Sequence, residues 1–257
     1  MLFSNPVGFR TLVKREVLRF FVVFSQTLVP PLISSALFIF VFGFSIGRNM
    51  NLNVEGVSYL SFMVPGLVMM HLIEGSYGNT SSSLFISRWH NHIQEILLAP
   101  LSYFEMVLGL LIGGVSRGML AASGVYGVSL IFTRFVFFNI WIVLYFFVTV
   151  TIIFACLGLI VGLWAEGFEK LSLWGTFILT PLIYFGGVFH SLEMVPGPLK
   201  IVTKLNPIFY LVNGLRYGML GVSDVNVTFS MALAAVSAVG LFFIVEKLFR
   251  SGYKLRS

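Results

Sequence analysis

The feature that most constrains this sequence is a series of long, almost uncharged apolar runs. A helix needs about 20 such residues to cross a hydrocarbon core of about 30 Å. Six runs meet this length: residues 27–46, 59–81, 104–131, 139–163, 171–189 and 227–247. Only 10% of the residues are charged and 58% are hydrophobic, which excludes a soluble domain, since those carry about 25% charged residues. We predict an all-α polytopic membrane protein with six transmembrane helices.

The chain has no internal repeat of 20–50 residues and no low-complexity linker, so we predict one transmembrane domain over residues 1–257. Its expected parts are a cytoplasmic interfacial helix (1–26), a six-span bundle (27–247) and a basic cytoplasmic tail (248–257). Prolines break up residues 190–226. We expect that segment to form short helices that dip into the outer leaflet between spans five and six.

The basic residues predict the orientation of the bundle. Ten of the 16 are expected on the side of the termini: Arg10, Lys14, Arg15, Arg19, Arg88, Lys170, Lys247, Arg250, Lys254 and Arg256. Five are expected opposite: Arg48, Arg134, Lys200, Lys204 and Arg216. Cytoplasmic loops carry the excess of Lys and Arg, so both termini are predicted to be cytoplasmic. An even number of crossings is then required, which agrees with six.

The segment before the first run has the pattern of an amphipathic helix. Its apolar residues recur at helical spacing: Phe9, Leu12, Val13, Val17 and Phe20. Arg10 and Lys14 share another face, which predicts a basic helix at the cytoplasmic interface. Glu16 falls within the apolar arc, where lipid contact would be costly. Contact with a protein partner, or a local ion pair with Arg19, would explain it.

Three ionisable residues lie near the middle of predicted spans, where a charge costs roughly 2.5–3.5 kcal/mol. His71 and Glu74 share one helix face in span two, and Arg117 lies halfway along span three. Adjacent antiparallel spans bring Glu74 and Arg117 to similar depth, so we hypothesise that they pair. The pair could fix two helices or line a solute path, or the side chains could reach the interface without a partner.

Local motifs predict how helices begin and pack. Ser102 and Glu105 fit a capping box at the start of span three. Four glycine pairs have the GxxxG spacing that lets helices approach closely: Gly43/Gly47, Gly109/Gly113, Gly114/Gly118 and Gly158/Gly162. They indicate packing within a bundle and could also serve a dimer.

The connection from Leu84 to Pro100 predicts an amphipathic helix on the cytoplasmic side. Its apolar residues return every three or four positions: Phe85, Trp89, Ile93, Ile96 and Leu97. Arg88, Asn91 and Glu95 form a polar side. The helix could lie on lipid or dock on a protein, and charges of both signs favour docking because an anionic membrane attracts basic residues alone.

Several functions lack the residues that they require. His90 and His92 have neither the spacing nor the companions of a zinc site, so we expect no metal. No hydrolase motif is present, and Cys156 lies in an apolar run. The net charge of +6 is explained by topology, so we expect no nucleic acid partner.

A series of short motifs recurs in order along the chain: Pro65-Gly66-Leu67, Arg88, Glu95-Ile96-Leu97-Leu98, Pro100-Leu101-Ser102, Glu105, Gly109, Pro181, Gly186-Gly187-Val188-Phe189, Leu205-Asn206-Pro207, Tyr210, Arg216 and Gly221. By their order and spacing around the six predicted spans, the sequence resembles the permease subunit of ABC-2 type transporters along almost its whole length. The resemblance is strongest to the YadH-like branch, which is related to daunorubicin-resistance and nodulation permeases.

The resemblance implies a mechanism. Such permeases pair, here as an expected homodimer in the inner membrane, and each subunit rests on a separate ABC ATPase, giving two copies that carry ATP and Mg²⁺. The present chain has no G-x-x-x-x-G-K-[ST] motif to hold phosphates, so no cofactor is expected on it. By similarity, ATPase coupling would fall to five residues: Arg10, Lys14, Arg15, Arg88 and Glu95.

The predicted function is therefore export of a hydrophobic or amphipathic solute, driven by ATP hydrolysed on a partner, with no catalytic residue on this chain. Two alternatives stay open. An ion-gradient-driven carrier would use carboxylates at the midplane, where only Glu74 qualifies. A membrane-embedded enzyme or assembly scaffold would have no stoichiometric ATPase.

Overall fold

The computed structural model describes residues 5–22, 24–42, 53–54, 56–133 and 137–255. Arg48, Arg134, Arg256 and the Gly43/Gly47 pair lie outside these residues. The helices are α1 (Pro6–Val22), α2 (Phe24–Phe38), α3 (Tyr59–Trp89), α4 (Ile93–Leu98), α5 (Tyr103–Phe132), α6 (Ile140–Trp164), α7 (Phe168–Leu173), α8 (Thr180–Phe185), α9 (Gly197–Leu205), α10 (Pro207–Leu220) and α11 (Val227–Ser251). A small antiparallel hairpin joins β1 (Asn53–Val54) to β2 (Val57–Ser58) before α3. The all-α class is thus confirmed, apart from this hairpin.

Helix α3 is the central element of the bundle. Its 31 residues extend for about 46 Å at 1.5 Å per residue, which is long enough to cross a bilayer. Most of its side chains are buried, among them Phe62, Leu67 and Leu72. Helices α5 and α6 pack against it on two sides.

Glycines on α5 and α6 permit this close packing. A Cβ on Gly114 would lie 2.5 Å from Thr80 Cγ2, and one on Gly162 would lie 2.9 Å from the Ser81 carbonyl oxygen. A Cβ on Gly118 would overlap the Ser76 hydroxyl, and one on Gly158 would overlap the Thr80 hydroxyl. The predicted role of these GxxxG pairs in packing the bundle is therefore confirmed.

Three described helices are long and apolar enough to cross a membrane on their own: α5, α6 and α11. The segments Pro6–Val22 and Thr27–Phe42 meet the same criterion as a pair bent by 56°. Helix α3 is long enough but does not meet it, because His71, Glu74 and the polar residues after them lower its mean hydropathy. The six crossings stay a prediction.

The predicted fifth span, residues 171–189, is interrupted. Helix α7 passes through a π-helical turn, Trp174–Leu179, into α8. Pro181 has no N–H to continue the α-helical ladder, and the Thr180 hydroxyl donates a 3.0 Å hydrogen bond to the Gly175 carbonyl across the wide turn. A continuous apolar run therefore does not give one regular helix here.

Both described ends of the chain lie at the same end of the bundle, which we call the basal end. The Asn5 amide donates a 3.1 Å hydrogen bond to Glu105 Oε1 at the start of α5. Near the other terminus, Lys254 Nζ donates to the Trp164 carbonyl at the end of α6. The opposite end, where α3 and α6 begin, is the distal end.

Helix α1 packs on α5 instead of lying only on lipid. Leu12 and Phe20 are buried, whereas Arg10 and Lys14 are exposed, so the predicted amphipathic pattern is confirmed. A Cβ on Gly109 would lie 2.7 Å from Leu12 Cδ2, and one on Gly113 would lie 2.7 Å from Glu16 Cβ. The Gly109/Gly113 pair thus receives α1.

The segment after α8 forms a helical hairpin of α9 and α10. Helix α10 runs antiparallel to α6, with Gly218 against Val143 and Gly221 against Phe138. At its other end, Pro207 lines a cavity together with Ile153 of α6. The turn of the hairpin therefore lies about 20 Å along α6 from its first residue. Short helices are therefore present in this segment, and their location in the outer leaflet stays a prediction.

Candidate functional site

A buried polar cluster joins α1 to α3 near the basal end. Glu16 is fully buried, and its Oε2 accepts a 2.6 Å hydrogen bond from Ser83 Oγ and lies 3.8 Å from Arg19 Nε. Arg19 Nη2 also donates to Asn79, at 2.7 Å to its carbonyl and 2.8 Å to Oδ1. Arg15 completes the cluster with an Nη2 atom 3.5 Å from Glu16 Oε1. The expected local pair of Glu16 with Arg19 is confirmed.

Arg88 holds the C-terminal end of α6 to the end of α3. Its Nη1 donates to the carbonyls of Gly162, Leu163 and Ala165 at 2.9, 2.8 and 3.1 Å. These carbonyls have no intrahelical donor, and a cation is favoured at a helix C-terminus. The charge expected on an open polar face is therefore directed into the bundle, which gives Arg88 a structural contact in addition to its predicted coupling role.

The connection after α3 differs from the single amphipathic helix expected over Leu84 to Pro100. Helix α3 continues to Trp89, and α4 begins at Ile93. Between them Asn91 has φ 60, a left-handed conformation that asparagine tolerates, and this residue breaks the helix. Ile93 and Ile96 of α4 are buried, while Glu95 is exposed.

A groove opens at the basal end beside this connection. It has a volume of about 430 Å³ and is lined by Phe85, Arg88, Trp89, Asn91, Ala165 and Glu166. The ring of Phe168 packs edge-on against Phe85, with centroids 4.8 Å apart. The groove therefore lies between the ends of α3 and α6 and the start of α7.

Glu166 links the groove to the end of the chain. It pairs with Lys170 and with Lys254, whose Nζ lies 2.8 Å from Glu166 Oε1. Hydrogen bonds and charge from these two lysines lower the pKa of Glu166 to about 2. The carboxylate is thus held ionised and ties the α6–α7 connection to the chain end.

The predicted coupling residues occupy two environments. Arg10, Lys14, Arg15 and Glu95 are exposed, although Arg15 also donates a 3.2 Å hydrogen bond to Ser87 Oγ. Arg88 is partly buried and binds the α6 carbonyls. All five lie at the basal end, on α1, on the last turn of α3 or on α4. Their part in coupling stays a prediction.

The predicted intramembrane residues line one cavity, of about 340 Å³, between α2, α3 and α5. Glu74 Oε2 lies 3.3 Å from His71 Nδ1, and no described ion pair joins Glu74 to Arg117. The hypothesis of a Glu74–Arg117 pair is therefore replaced by a Glu74–His71 contact, because the i, i+3 spacing on α3 already brings those two side chains together. Sequence placed Glu74 and Arg117 near one another but gave the carboxylate the wrong partner.

The capping box at the start of α5 is confirmed. Ser102 Oγ accepts a 3.2 Å hydrogen bond from the Glu105 amide, and Glu105 Oε2 accepts a 2.7 Å bond from the Ser102 amide. Pro100 lies in the short link that precedes this cap. Glu105 also binds the Asn5 amide, so the cap extends to the start of α1.

Several residues of the family motifs lie close together at the turn after α8, although they are far apart in the sequence. A Cβ on Gly66 would overlap the Val188 backbone, so this backbone packs directly against α3 at Gly66. Arg216, fully buried on α10, donates a 2.6 Å hydrogen bond from Nη2 to the Gly187 carbonyl. Gly187 has φ +78, a left-handed conformation suited to glycine. These contacts join α3, α8 and α10.

The tip of the α9–α10 hairpin is attached to α8. Asn206 Oδ1 accepts a 3.0 Å hydrogen bond from the Ile208 amide and caps α10, with Pro207 as its first residue. Asn206 Nδ2 donates a 2.6 Å bond to the Leu182 carbonyl. The Asn206-Pro207 motif therefore both begins a helix and attaches it to its neighbour.

Several polar residues that join distant segments of the chain were not predicted from the sequence. Ser83 and Asn79 bind the α1 cluster, Asp224 accepts from the Leu192 amide at 3.1 Å, and Tyr59 donates to the Phe189 carbonyl at 3.0 Å. Each partner is more than 30 residues away, so no local spacing could have identified it.

A second, apolar cavity of about 200 Å³ lies between α3, α6, the π-helical turn, α10 and α11. Its walls include Tyr77, Phe154, Trp174, Leu211 and Leu241. Its lining is almost entirely apolar, so it suits an apolar group.

The sequence is similar to a known transporter family and to known transport proteins. The family model described as "ABC-2 type transporter" matches residues 7–220. The "Inner membrane transport permease YadH" of Escherichia coli (strain K12) is 37% identical over 251 residues, which cover 98% of each chain. The "Nodulation protein J" of Rhizobium meliloti (strain 1021) is 27% identical over 220 residues, which cover 82% of each chain.

Proposed function

Because this chain belongs to the ABC-2 type transporter family, we propose that it is the membrane-spanning permease subunit of an ABC exporter. It moves a hydrophobic or amphipathic solute out across the membrane with ATP hydrolysed by a separate subunit. The observation that carries the proposal is the family match over residues 7–220, which includes every described helix from α1 to α10. Relatives named as permeases support a transport function and not an enzymatic one.

The basal end is the proposed contact for the ATPase. Exposed Arg10, Lys14 and Glu95 present charges of both signs there, at the same end of the bundle as the groove lined by Trp89 and Glu166. Buried Ile93 and Ile96 fix α4 to the bundle. A push on α4 is therefore transmitted to the end of α3, and through the Arg88 hydrogen bonds to the end of α6.

The proposed assembly has two permease subunits and two ATPases. The ATPases carry ATP and Mg²⁺, since this chain has no phosphate-binding motif. Both termini lie on the cytoplasmic side of the inner membrane, as the excess of basic residues near the termini indicates. This orientation directs the basal end towards the ATPases.

Purification from native membranes tests the proposal directly. We expect an ATPase to co-purify with the permease in equal stoichiometry. We also expect solute export to require ATP hydrolysis. If no ATPase accompanies the protein, and transport follows an ion gradient instead, the exporter assignment is wrong and the carrier alternative gains support.

The docking surface is tested by the substitution Glu95→Lys. Reversing this exposed charge on α4 should weaken ATPase co-purification or uncouple ATP hydrolysis from transport. Glu193→Lys is a matched control, because Glu193 is also exposed but lies in the segment that follows α8. If the two variants gave the same ATPase co-purification and the same coupling, the proposed docking site at α4 would be contradicted.

A further inference from the structure

The cavity between α2, α3 and α5 is lined by polar side chains from all three helices. Thr27 and Ser34 line it from α2, His71 and Glu74 from α3, and Arg117 from α5. Its position along the helices is central: Arg117 lies 14 residues into the 30-residue α5, and Glu74 lies 15 residues into the 31-residue α3. A polar cavity at mid-membrane depth is expensive unless it has a use.

Arg117 supplies an uncompensated positive charge to this cavity. No described carboxylate lies within ion-pair distance of its guanidinium, and its half-buried side chain makes no described hydrogen bond. The neighbouring Arg19 is already bound to Glu16 and Asn79. The guanidinium carries five donors in a planar fork that matches the oxygens of a phosphate or carboxylate.

His71 and Glu74 form the opposite wall. His71 is 3% exposed, and neither of its ring nitrogens makes a hydrogen bond among the described residues, although Nδ1 lies 3.3 Å from Glu74 Oε2. A buried polar group without a partner costs free energy. Glu74 is half-buried, so its carboxylate is available to accept from hydroxyl or amino donors.

The size and surroundings of the cavity restrict its ligand. A volume of about 340 Å³ is at the lower end of small-molecule sites, so it would hold a head group but not a long chain. The outer face of α2 beside it is apolar, with Val29, Ile33 and Leu37 each about half exposed. A hydrocarbon chain attached to the head group would find an apolar surface there.

We propose that this cavity binds the anionic head group of an amphipathic molecule. Arg117 binds a phosphate or carboxylate oxygen of the head group, and Glu74 and His71 bind its hydroxyl or amino groups. The hydrocarbon chain lies along the apolar face of α2. The inference rests on the proposed permease function for its physiological meaning, because it names the class of solute that would be exported.

Binding of labelled dodecyl phosphate to the purified full chain in dodecyl maltoside tests the proposal. We expect saturable binding that Arg117→Gln weakens at least ten-fold, and that dodecanoate displaces but dodecyltrimethylammonium does not. Arg250→Gln is the matched control, because Arg250 is exposed at the end of α11 and should leave binding unchanged. Equal binding by Arg117→Gln and wild type would overturn the proposal.

A second variant covers the case in which Arg117→Gln fails to fold. Ser34→Leu fills the cavity from the half-buried face of α2 and leaves every charge in place. It should also reduce binding at least ten-fold, and unchanged binding would contradict the assigned location.

The source of the head group is identified by mass spectrometry of co-purified lipid. Phosphatidylglycerol retained by wild type and lost from Arg117→Gln would identify a bilayer lipid as the occupant. Arg117-dependent binding of dodecyl phosphate to lipid-free protein would indicate a site open to another anionic amphiphile. Either result supports the shared chemistry.

This assay needs no ATPase, so the two proposals can fail separately. Loss of the ATPase partner with intact Arg117-dependent binding would refute the exporter assignment alone. A stoichiometric ATPase with no effect of Arg117→Gln or Ser34→Leu would refute the head-group site alone.

Discussion

Ser83 Oγ donates a 2.6 Å hydrogen bond to Glu16 Oε2 and so attaches the first helix to the central one inside the protein. Glu16 lies over Gly113 of α5, which places its carboxylate at the meeting point of three helices. The helix that carries the exposed Arg10 and Lys14 is therefore not free to move on the membrane surface. Any force on α1 acts on α3 and α5 together.

Replacing Glu16 should destabilise the bundle. Glu16→Leu removes the acceptor of Ser83 and the ion-pair partner of Arg19, and the loss of these charged contacts should lower the free energy of unfolding by about 2 kcal/mol. The midpoint of thermal unfolding in detergent measures the change. Glu169→Leu, at an exposed position on α7, serves as the control and should have little effect; equal midpoints for both variants would contradict the buried contact.

Glycine substitutions should separate packed from open positions. Gly118→Ala overlaps Ser76 and lies 2.9 Å from the Leu72 carbonyl, so it should destabilise the protein by about 1–3 kcal/mol. Gly240→Ala on α11 meets nothing within 4 Å and should stabilise it by roughly 0.5–1 kcal/mol. Thermal unfolding of the two variants should therefore shift in opposite directions, and a shared direction would show that α3 and α5 are not in this contact.

Arg88→Met should lower the free energy of unfolding. It removes the Nη1 donor to three carbonyls at the end of α6, a loss of about 2 kcal/mol. Arg88→Lys should recover part of this loss, because it keeps a positive charge near the helix C-terminus. Unfolding midpoints are measured beside Arg250→Met as the control. If Arg88→Met unfolds like wild type but uncouples ATP hydrolysis, Arg88 acts in coupling and its carbonyl contacts contribute little.

Arg216→Lys should destabilise the distal end. The guanidinium lies 3.8 Å from the centroid of the Phe62 ring and binds the Gly187 carbonyl, and a lysine cannot reproduce both contacts. We expect a loss of about 2 kcal/mol in unfolding free energy. Arg250→Lys is the conservative control, and hydrogen exchange at residues 186–189 should increase only in the Arg216 variant.

The contact between Glu166 and the chain end should depend on pH. The pKa of Glu166 is lowered to about 2 from a usual 4.5 by Lys170 and Lys254. A lowered pKa means that the stabilisation is present above about pH 4.5 and is lost as the pH falls towards 2. Carboxyl chemical shifts of labelled glutamate, assigned with Glu166→Gln, should show Glu166 titrating well below pH 4.5, and a titration of this residue near pH 4.5 would contradict the lysine contacts.

Sequence predicted the parts of this structure that depend on neighbours in the chain. The Ser102–Glu105 cap, the Glu16–Arg19 pair and the amphipathic pattern of α1 all follow from spacings of a few residues. The structural contacts of Arg88 were not predicted because its partners are backbone carbonyls of α6, and these leave no mark in side-chain patterns. The contact of Glu74 with His71 was not predicted. His71 and Arg117 were both acceptable partners, and sequence spacing alone does not tell which side chain lies closer.

The broken fifth span shows a second limit. Residues 171–189 are apolar throughout, so composition gives no reason to divide them, yet Pro181 and the Gly175–Thr180 bond produce a π-helical turn. The attachment of Asn206 to Leu182 depends on that turn. Hydropathy therefore located the segment but not its shape.

The glycine pairs of α5 and α6 have a consequence for assembly. Gly109 and Gly113 are covered by α1, while Gly114, Gly118, Gly158 and Gly162 are covered by α3. All six are thus occupied within a single subunit, and none offers a vacant notch to a neighbouring copy. A contact with a second subunit would therefore use other residues, and its opening or closing would leave these six helix crossings undisturbed.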